Sequence, residues 1–215
     1  MKNFMKLLIL ALSLTMASQS FAQTFGVKAG LNLSKVQIHG ATKKYIKISP
    51  GFNLGATAEF PITGIFSFET GLFLTTKGYK MKVETPDEHG TGKVNLYYLE
   101  IPLTGKALFD IGSINIYGTF GPYIGMGITG KVKTESTYLG VTEKTNDNIK
   151  WGTDKETDQL KRLDYGLVIG TGVEFKSFQI GLSYDLGLAN ISTQSDHKLT
   201  NQVLGISVGC KFGGK

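Results

Sequence analysis

The chain has 215 residues, with 28 glycines, 5 prolines, a single cysteine and a formal net charge of +6. One cysteine excludes an intramolecular disulfide and a cysteine metal cluster, and basic residues spread along the chain rather than gathered on one face argue against nucleic acid as a partner. No stretch reaches the ~20 apolar residues of a spanning helix, and the absence of a Pro- or Ser-rich linker leaves one domain.

The first element is a secretory signal. Lys2 and Lys6 precede an apolar run from Leu7 to Met16, broken by Ser13 and Thr15, and Ser20-Phe21-Ala22 forms a small-x-small cleavage site before Gln23. Residues 1–22 are therefore expected to be removed and residues 23–215 to form the mature protein, which has no cysteine at its start to carry a lipid anchor. Cleavage takes away two of 23 basic residues and none of the 17 acids, leaving 21 against 17, or +4.

Eight segments then alternate apolar and polar residues with period two. Every second residue faces one way from Phe25 to Leu33, Phe52 to Phe60, Phe66 to Leu74 and Tyr97 to Phe109, and again from Ile114 to Ile128, Leu163 to Phe175, Phe178 to Leu188 and Leu204 to Phe212. None of those 48 positions is charged, whereas the opposite face carries Lys28, Glu59, Glu69, Glu100, Lys106, Asp164, Glu174, Asp185 and Lys211. A charge facing lipid at mid-membrane costs roughly 2–4 kcal/mol. The pattern predicts an all-β protein, an eight-stranded antiparallel up-and-down transmembrane β-barrel with its charges inside.

The connections also alternate. Pro61-Ile62-Thr63-Gly64, Asp110-Ile111-Gly112 and Lys176-Ser177 read as tight turns, and 34–50, 76–94, 129–162 and 189–202 as four long polar external loops. Bacterial barrels keep short turns in the periplasm, which would put both termini there and the barrel in the outer membrane. A soluble lipocalin-like ligand binder is the competing architecture, with its apolar face inward. Against it, the polar face is rich in glycine (Gly26, Gly30, Gly121, Gly125, Gly170, Gly172, Gly209), which suits a narrow lumen.

The segments Gly26-Val27-Lys28-Ala29-Gly30-Leu31-Asn32, Tyr98-Leu99-Glu100-Ile101-Pro102-Leu103, Gly170-Thr171-Gly172-Val173-Glu174-Phe175, Tyr184-Asp185-Leu186-Gly187-Leu188-Ala189-Asn190-Ile191 and Gly209-Cys210-Lys211-Phe212 carry a resemblance. In order and spacing they resemble the outer-membrane protein β-barrel domain family, the porin family that includes PorT-type proteins. The resemblance implies a small barrel and carries over no catalytic residue. It also implies a terminal aromatic read by the assembly machinery. Phe212 would be that residue, although Gly213-Gly214-Lys215 follow it.

Within the expected lumen, Glu59, Glu69 and Glu174 balance Lys28, Lys106 and Lys211. A narrow interior makes unpaired charge costly, so these are expected to pair across the barrel and plug it. Glu100 is left without an evident partner, and Asp164 and Asp185 are expected near the outer mouth in water. A regular turn from Phe109 to Ile114 would set Pro102 opposite Gly121 with Pro122 one step away, and two residues lacking N–H predict a bulge or lost hydrogen bond there.

Other motifs are weak. Gly125-Met126-Gly127-Ile128-Thr129-Gly130 matches a dinucleotide fingerprint, and Lys131 extends it toward a P-loop, but Val132 replaces the hydroxyl residue and no amphipathic helix follows. His39, His89 and His197 fall in expected external loops. A lipid-modifying enzyme would need a hydroxyl and an orienting group beside one of them, and His197 with Asp196, Ser192 and Ser195 is the one local set. No spacing supports a metal and no cofactor is expected. Lys35, Lys43, Lys44 and Lys47 are candidate contacts for lipopolysaccharide phosphates, alongside the outer-membrane lipids. Loop 129–162, with Trp151, is the candidate surface for another envelope protein. The expected function is that of a non-enzymatic barrel, serving envelope integrity, surface interaction or a secretion or assembly machine. A wide diffusion pore needs about 16 strands.

Overall fold

The structure, a computed structural model, describes residues 23–39, 46–84, 88–138, 141–194 and 198–213. The expected signal, residues 1–22, lies outside them. Ten strands form: β1 Thr24–His39, β2 Ile46–Lys47, β3 Ser49–Pro61, β4 Phe66–Glu84, β5 Glu88–Asp110, β6 Asn115–Tyr138, β7 Val141–Asn148, β8 Leu163–Phe175, β9 Phe178–Gly187 and β10 Lys198–Gly213. Eight of them close a ring in the order β1-β3-β4-β5-β6-β8-β9-β10, sealed by β10 back on β1, with every neighbour antiparallel. β2 lies on the outer part of β4, and β7 folds back on β6.

The ring turns its apolar side chains outward. Leu31, Leu54, Phe120, Ile169, Phe178 and Val208 are all more than half exposed, while Glu59, Glu69, Glu100, Lys106, Asp164 and Glu174 are buried inside. A lipocalin has the reverse arrangement, so the soluble alternative is overturned. An exposed apolar band of this extent suits lipid and not water.

The short connections at one end are 62–65, 111–114 and 176–177. Lys176 adopts φ 53 in its two-residue hairpin, and the Gly112 N–H (φ 96) donates to Asp110 Oδ1 at 2.7 Å. Because four residues make the β5–β6 turn, Asp110 pairs with Asn115 and Pro102 lies opposite Tyr123, not Gly121. The expected register is thus corrected by two residues. The ladders do break at the prolines. Pairing of β5 with β6 skips Leu103–Thr104 against Gly121–Pro122, and pairing of β4 with β5 skips Gly71–Leu72 against Ile101–Pro102. A Cβ on Gly121 would collide with the Leu103 carbonyl, so the backbones pass closely there.

The expected long loops 34–50, 76–94 and 129–162 are largely strand where described. β4 and β5 run on as a paired hairpin through Glu84 and His89, and β6 continues to Tyr138 before β7 returns along it. A spanning strand needs about 9–11 residues, so the 23 residues of β5 and the 24 of β6 reach well beyond the membrane. A bulge in β6 moves the register between Tyr97–Thr129 and Tyr98–Gly127, leaving Ile128 unpaired with β5.

Beyond the membrane the faces exchange character. Below, Leu31, Leu33, Leu99 and Ile101 point out. Above, Val36, Val94, Leu96, Leu199 and Val203 are buried inside. The same strands therefore hold an apolar exterior in lipid and an apolar interior in water.

Candidate functional site: the lumen and its outer cap

Register places Glu59 of β3 directly opposite Glu69 of β4. Two facing carboxylates repel, and cations from other walls answer them. Lys106 of β5 reaches Glu59 (2.8 Å), Glu174 (2.5 Å) and Glu69 (3.5 Å) with its side chain fully buried. Lys211 of β10 reaches Glu59 and Glu174, both at 2.9 Å. Glu59, Lys106, Glu174 and Lys211 thus form a closed square of alternating charge from four strands. Lys28 adds a 2.5 Å pair to Glu69, Ser67 donates to Glu59 at 2.8 Å, and the Tyr117 ring lies 4.8 Å from the Lys106 ammonium.

A second layer sits higher. Glu100, which has no evident partner in the sequence, pairs with Lys77 at 2.6 Å; 76–94 reads as an external loop, but the structure puts Lys77 on β4 inside the barrel. Asp164 is not in water at the mouth. It is fully buried, 3.0 Å from Lys77, and accepts from Asn201 at 2.9 Å and from the Tyr123 hydroxyl at 3.4 Å. The Lys77 ammonium lies 4.2 Å from the Tyr123 ring centre and 5.3 Å from that of Tyr98. Asp185 is half-buried and borders a cavity of about 110 Å³ between the layers, lined by polar groups such as Asn32, Asn53, Thr104 and Ser183 together with Phe73 and Leu182.

The reason for the burial of Asp164 is an apolar cap. Residues 149–160 and 189–191 fold across the outer end, where Ile149, Leu160, Ala189 and Ile191 pack with Val36, Val94, Leu96, Tyr98 and Leu199. The Lys161 N–H donates to the Ile191 carbonyl, and Ile191 in turn to Leu199, stitching the two segments to β10. Trp151 packs, partly buried, against this cap. Its ring stands edge-on to Tyr98, 5.7 Å away at 89°. The outward part of 129–162 is instead the β6–β7 hairpin.

The glycine motif belongs to this packing. A Cβ at Gly127 would lie 2.5 Å from the Trp151 ring, one at Gly130 would lie 3.0 Å from Leu96, and Gly125 approaches Tyr98. The two-residue gap between Gly127 and Gly130 contains the Ile128 bulge, which keeps all three glycines on the inner face. β6 runs through the motif to Tyr138, so the strand-to-helix turn that cradles phosphate does not form there.

Two of the three histidines lie on described strands. His39 ends β1 opposite Lys198, His89 pairs with Glu84 and Thr137 on β5, and His197, with Ser195 and Asp196, lies outside the described residues. β1 and β5 are not neighbours in the ring. The Ser192 hydroxyl exchanges bonds with the Gln194 backbone in a local turn. No group of three metal-binding side chains occurs among the described residues. Of the candidate lipopolysaccharide contacts, Lys35 and Lys47 are exposed on β1 and β2, and Lys43 and Lys44 lie outside the described residues.

A family model described as outer membrane protein beta-barrel domain matches residues 18–193. The chain belongs to that family. Membership places this outer membrane protein beta-barrel domain in the cell outer membrane. No curated protein matches it. Solved structures similar to this beta-barrel domain include the attachment invasion locus protein Ail of Yersinia pestis, at 18% identity and TM-score 0.39 over 89% of this chain and 99% of that one. Neisserial surface protein A is 14% identical, with TM-score 0.45 over 87% and 97%. OprG of Pseudomonas aeruginosa is 13% identical, with TM-score 0.43 over 90% and 98%.

Proposed function

We propose that the protein is a non-enzymatic, non-conducting outer-membrane barrel that acts through its external surface. The signal of residues 1–22 is removed, and the mature chain, 23–215, inserts with both termini in the periplasm, at the end of the short turns. The carrying observation is the obstructed lumen, with two charge layers crossing it and the outer end capped by apolar side chains. Between envelope integrity, surface interaction and service to a secretion or assembly machine, surface interaction is favoured. Its basis is the β4–β5 and β6–β7 hairpins, hydrogen-bonded platforms standing outside the membrane. Lys35, Lys43, Lys44 and Lys47 are proposed to meet lipopolysaccharide, and the β6–β7 hairpin to meet another envelope protein.

Planar-bilayer recording of purified protein tests the reading. We expect no large steady conductance at moderate voltage, and stable currents of wide-porin size would refute it. The enzyme alternative is tested by replacing His39, His89 and His197 with alanine. Envelope lipid composition should stay unchanged, and loss of a specific lipid product would establish catalysis.

A further inference from the structure

The outer part of the sheet holds an arrangement that costs stability unless something answers it. Lys47 of β2 pairs with Lys80 of β4, Lys80 with Lys93 of β5, and Lys93 with Lys133 of β6, each directly opposite the next. Four ammonium-bearing side chains thus stand in one cross-strand row, at intervals of about 4.8 Å. Like charges in opposed positions destabilise a sheet, and no ion pair among the described residues engages any of the four. The row lines a groove of about 560 Å³ that also includes Lys144. Glu135 is the one acid among its described lining residues, and it is taken up by Lys144 at 3.2 Å.

The direction of the row identifies what it meets. Lys93 continues the outward-facing series Ile101, Leu99, Tyr97 on β5, whose lower members face lipid. It lies four residues beyond Tyr97, about 13 Å along the strand and about 10 Å above it at barrel tilt. Aromatic side chains of this kind mark the membrane boundary. The lysines therefore look sideways into the headgroup zone of the outer leaflet, not up into the medium.

We propose that this row binds the phosphate groups of an anionic glycolipid headgroup in the outer leaflet, one headgroup bridging several lysines. The assignment rests on the outer-membrane placement and deepens the lipopolysaccharide contact proposed for Lys47, but it is independent of the closed lumen, so bilayer currents and lipid binding fail separately.

The test uses mature protein folded in zwitterionic detergent and titrated with diphosphorylated lipid A, with dephosphorylated lipid A and with soluble inorganic polyphosphate. The variant Lys80→Gln/Lys93→Gln/Lys133→Gln is compared with Lys150→Gln/Lys155→Gln/Lys198→Gln, which removes equal charge elsewhere on the exterior. We expect the groove variant to bind diphosphorylated lipid A at least tenfold more weakly, the control variant to match the parent, and dephosphorylated lipid A to bind far less. Without lipid and at low salt, the groove variant should unfold at a higher temperature than the parent, because repulsion within the row is relieved. Equal losses in the two variants, or equal binding of both lipids, would overturn the site. Preference for polyphosphate over the phosphorylated lipid would overturn the lipid as its occupant. Single Lys93→Gln and Lys133→Gln variants, each expected to lose part of the affinity, repeat the measurement if the triple variant does not fold.

Discussion

Replacing Lys106 with methionine should be among the most damaging single changes available in the barrel. The side chain is fully buried, within 2.8 Å of Glu59 and Glu174 and 3.5 Å of Glu69. Methionine keeps the length and removes the charge. Three carboxylates would then share Lys28 and Lys211 alone, with Glu59 and Glu69 facing each other across adjacent strands. Breaking a buried pair by removing one partner costs about 3–5 kcal/mol. That lowers the folding equilibrium by about a hundredfold to several thousandfold. Urea unfolding of vesicle-inserted protein, followed by the heat-dependent gel shift, reads this as a lowered midpoint. A cycle with Glu174→Gln isolates the pair. Removing both partners should cost less than the two single losses together, by about 1–3 kcal/mol. A Lys106→Met cost below about 1 kcal/mol, the range of surface pairs, or strict additivity in the cycle, would refute the reading of a buried, coupled square.

Two further outcomes are expected. Trp151 is the single tryptophan of the chain, and Gly127→Leu should push it out of its seat against Tyr98. Its emission should shift to the red and become accessible to a soluble quencher while the barrel gel shift persists; an unchanged spectrum would show that the cap is not seated on Gly127. Because Lys80 and Lys93 lie within paired strand, a lysine-directed protease should spare both in the intact barrel, and rapid cleavage there would mean that 76–94 is a loop after all.

The embedded band was legible because lipid punishes polar side chains on every second residue. Phe25 to Leu33 and Phe178 to Leu188 declared their outer face without ambiguity. Most of the lower square was visible for the same reason, its charges falling on the opposite face. What escaped was the region above the membrane. There the apolar residues switch from odd to even positions or the reverse along the same strands, from Leu33 to Val36, from Tyr97 to Leu96 and from Leu204 to Val203. A reading that expects one face to stay apolar takes that step as the end of a strand. Lys77, the partner of Glu100, goes unseen with it. The signal was the change of parity itself, which marks where solvent replaces lipid as the medium outside the sheet. The Trp151 seat had no such signal, since two glycines separated by a bulge look the same as a turn.

The seam between β1 and β10 joins Thr24 to Gly213 and continues to His39 opposite Lys198. Closure therefore waits on the delivery of nearly the whole chain. Until β10 arrives, β1 and β9 are both open edges, able to pair with any strand they meet, and contacts so distant in sequence form slowly. The chain must cross the periplasm in an unfinished state. Its chance of reaching one native barrel is set by how long those two edges are kept apart from other chains.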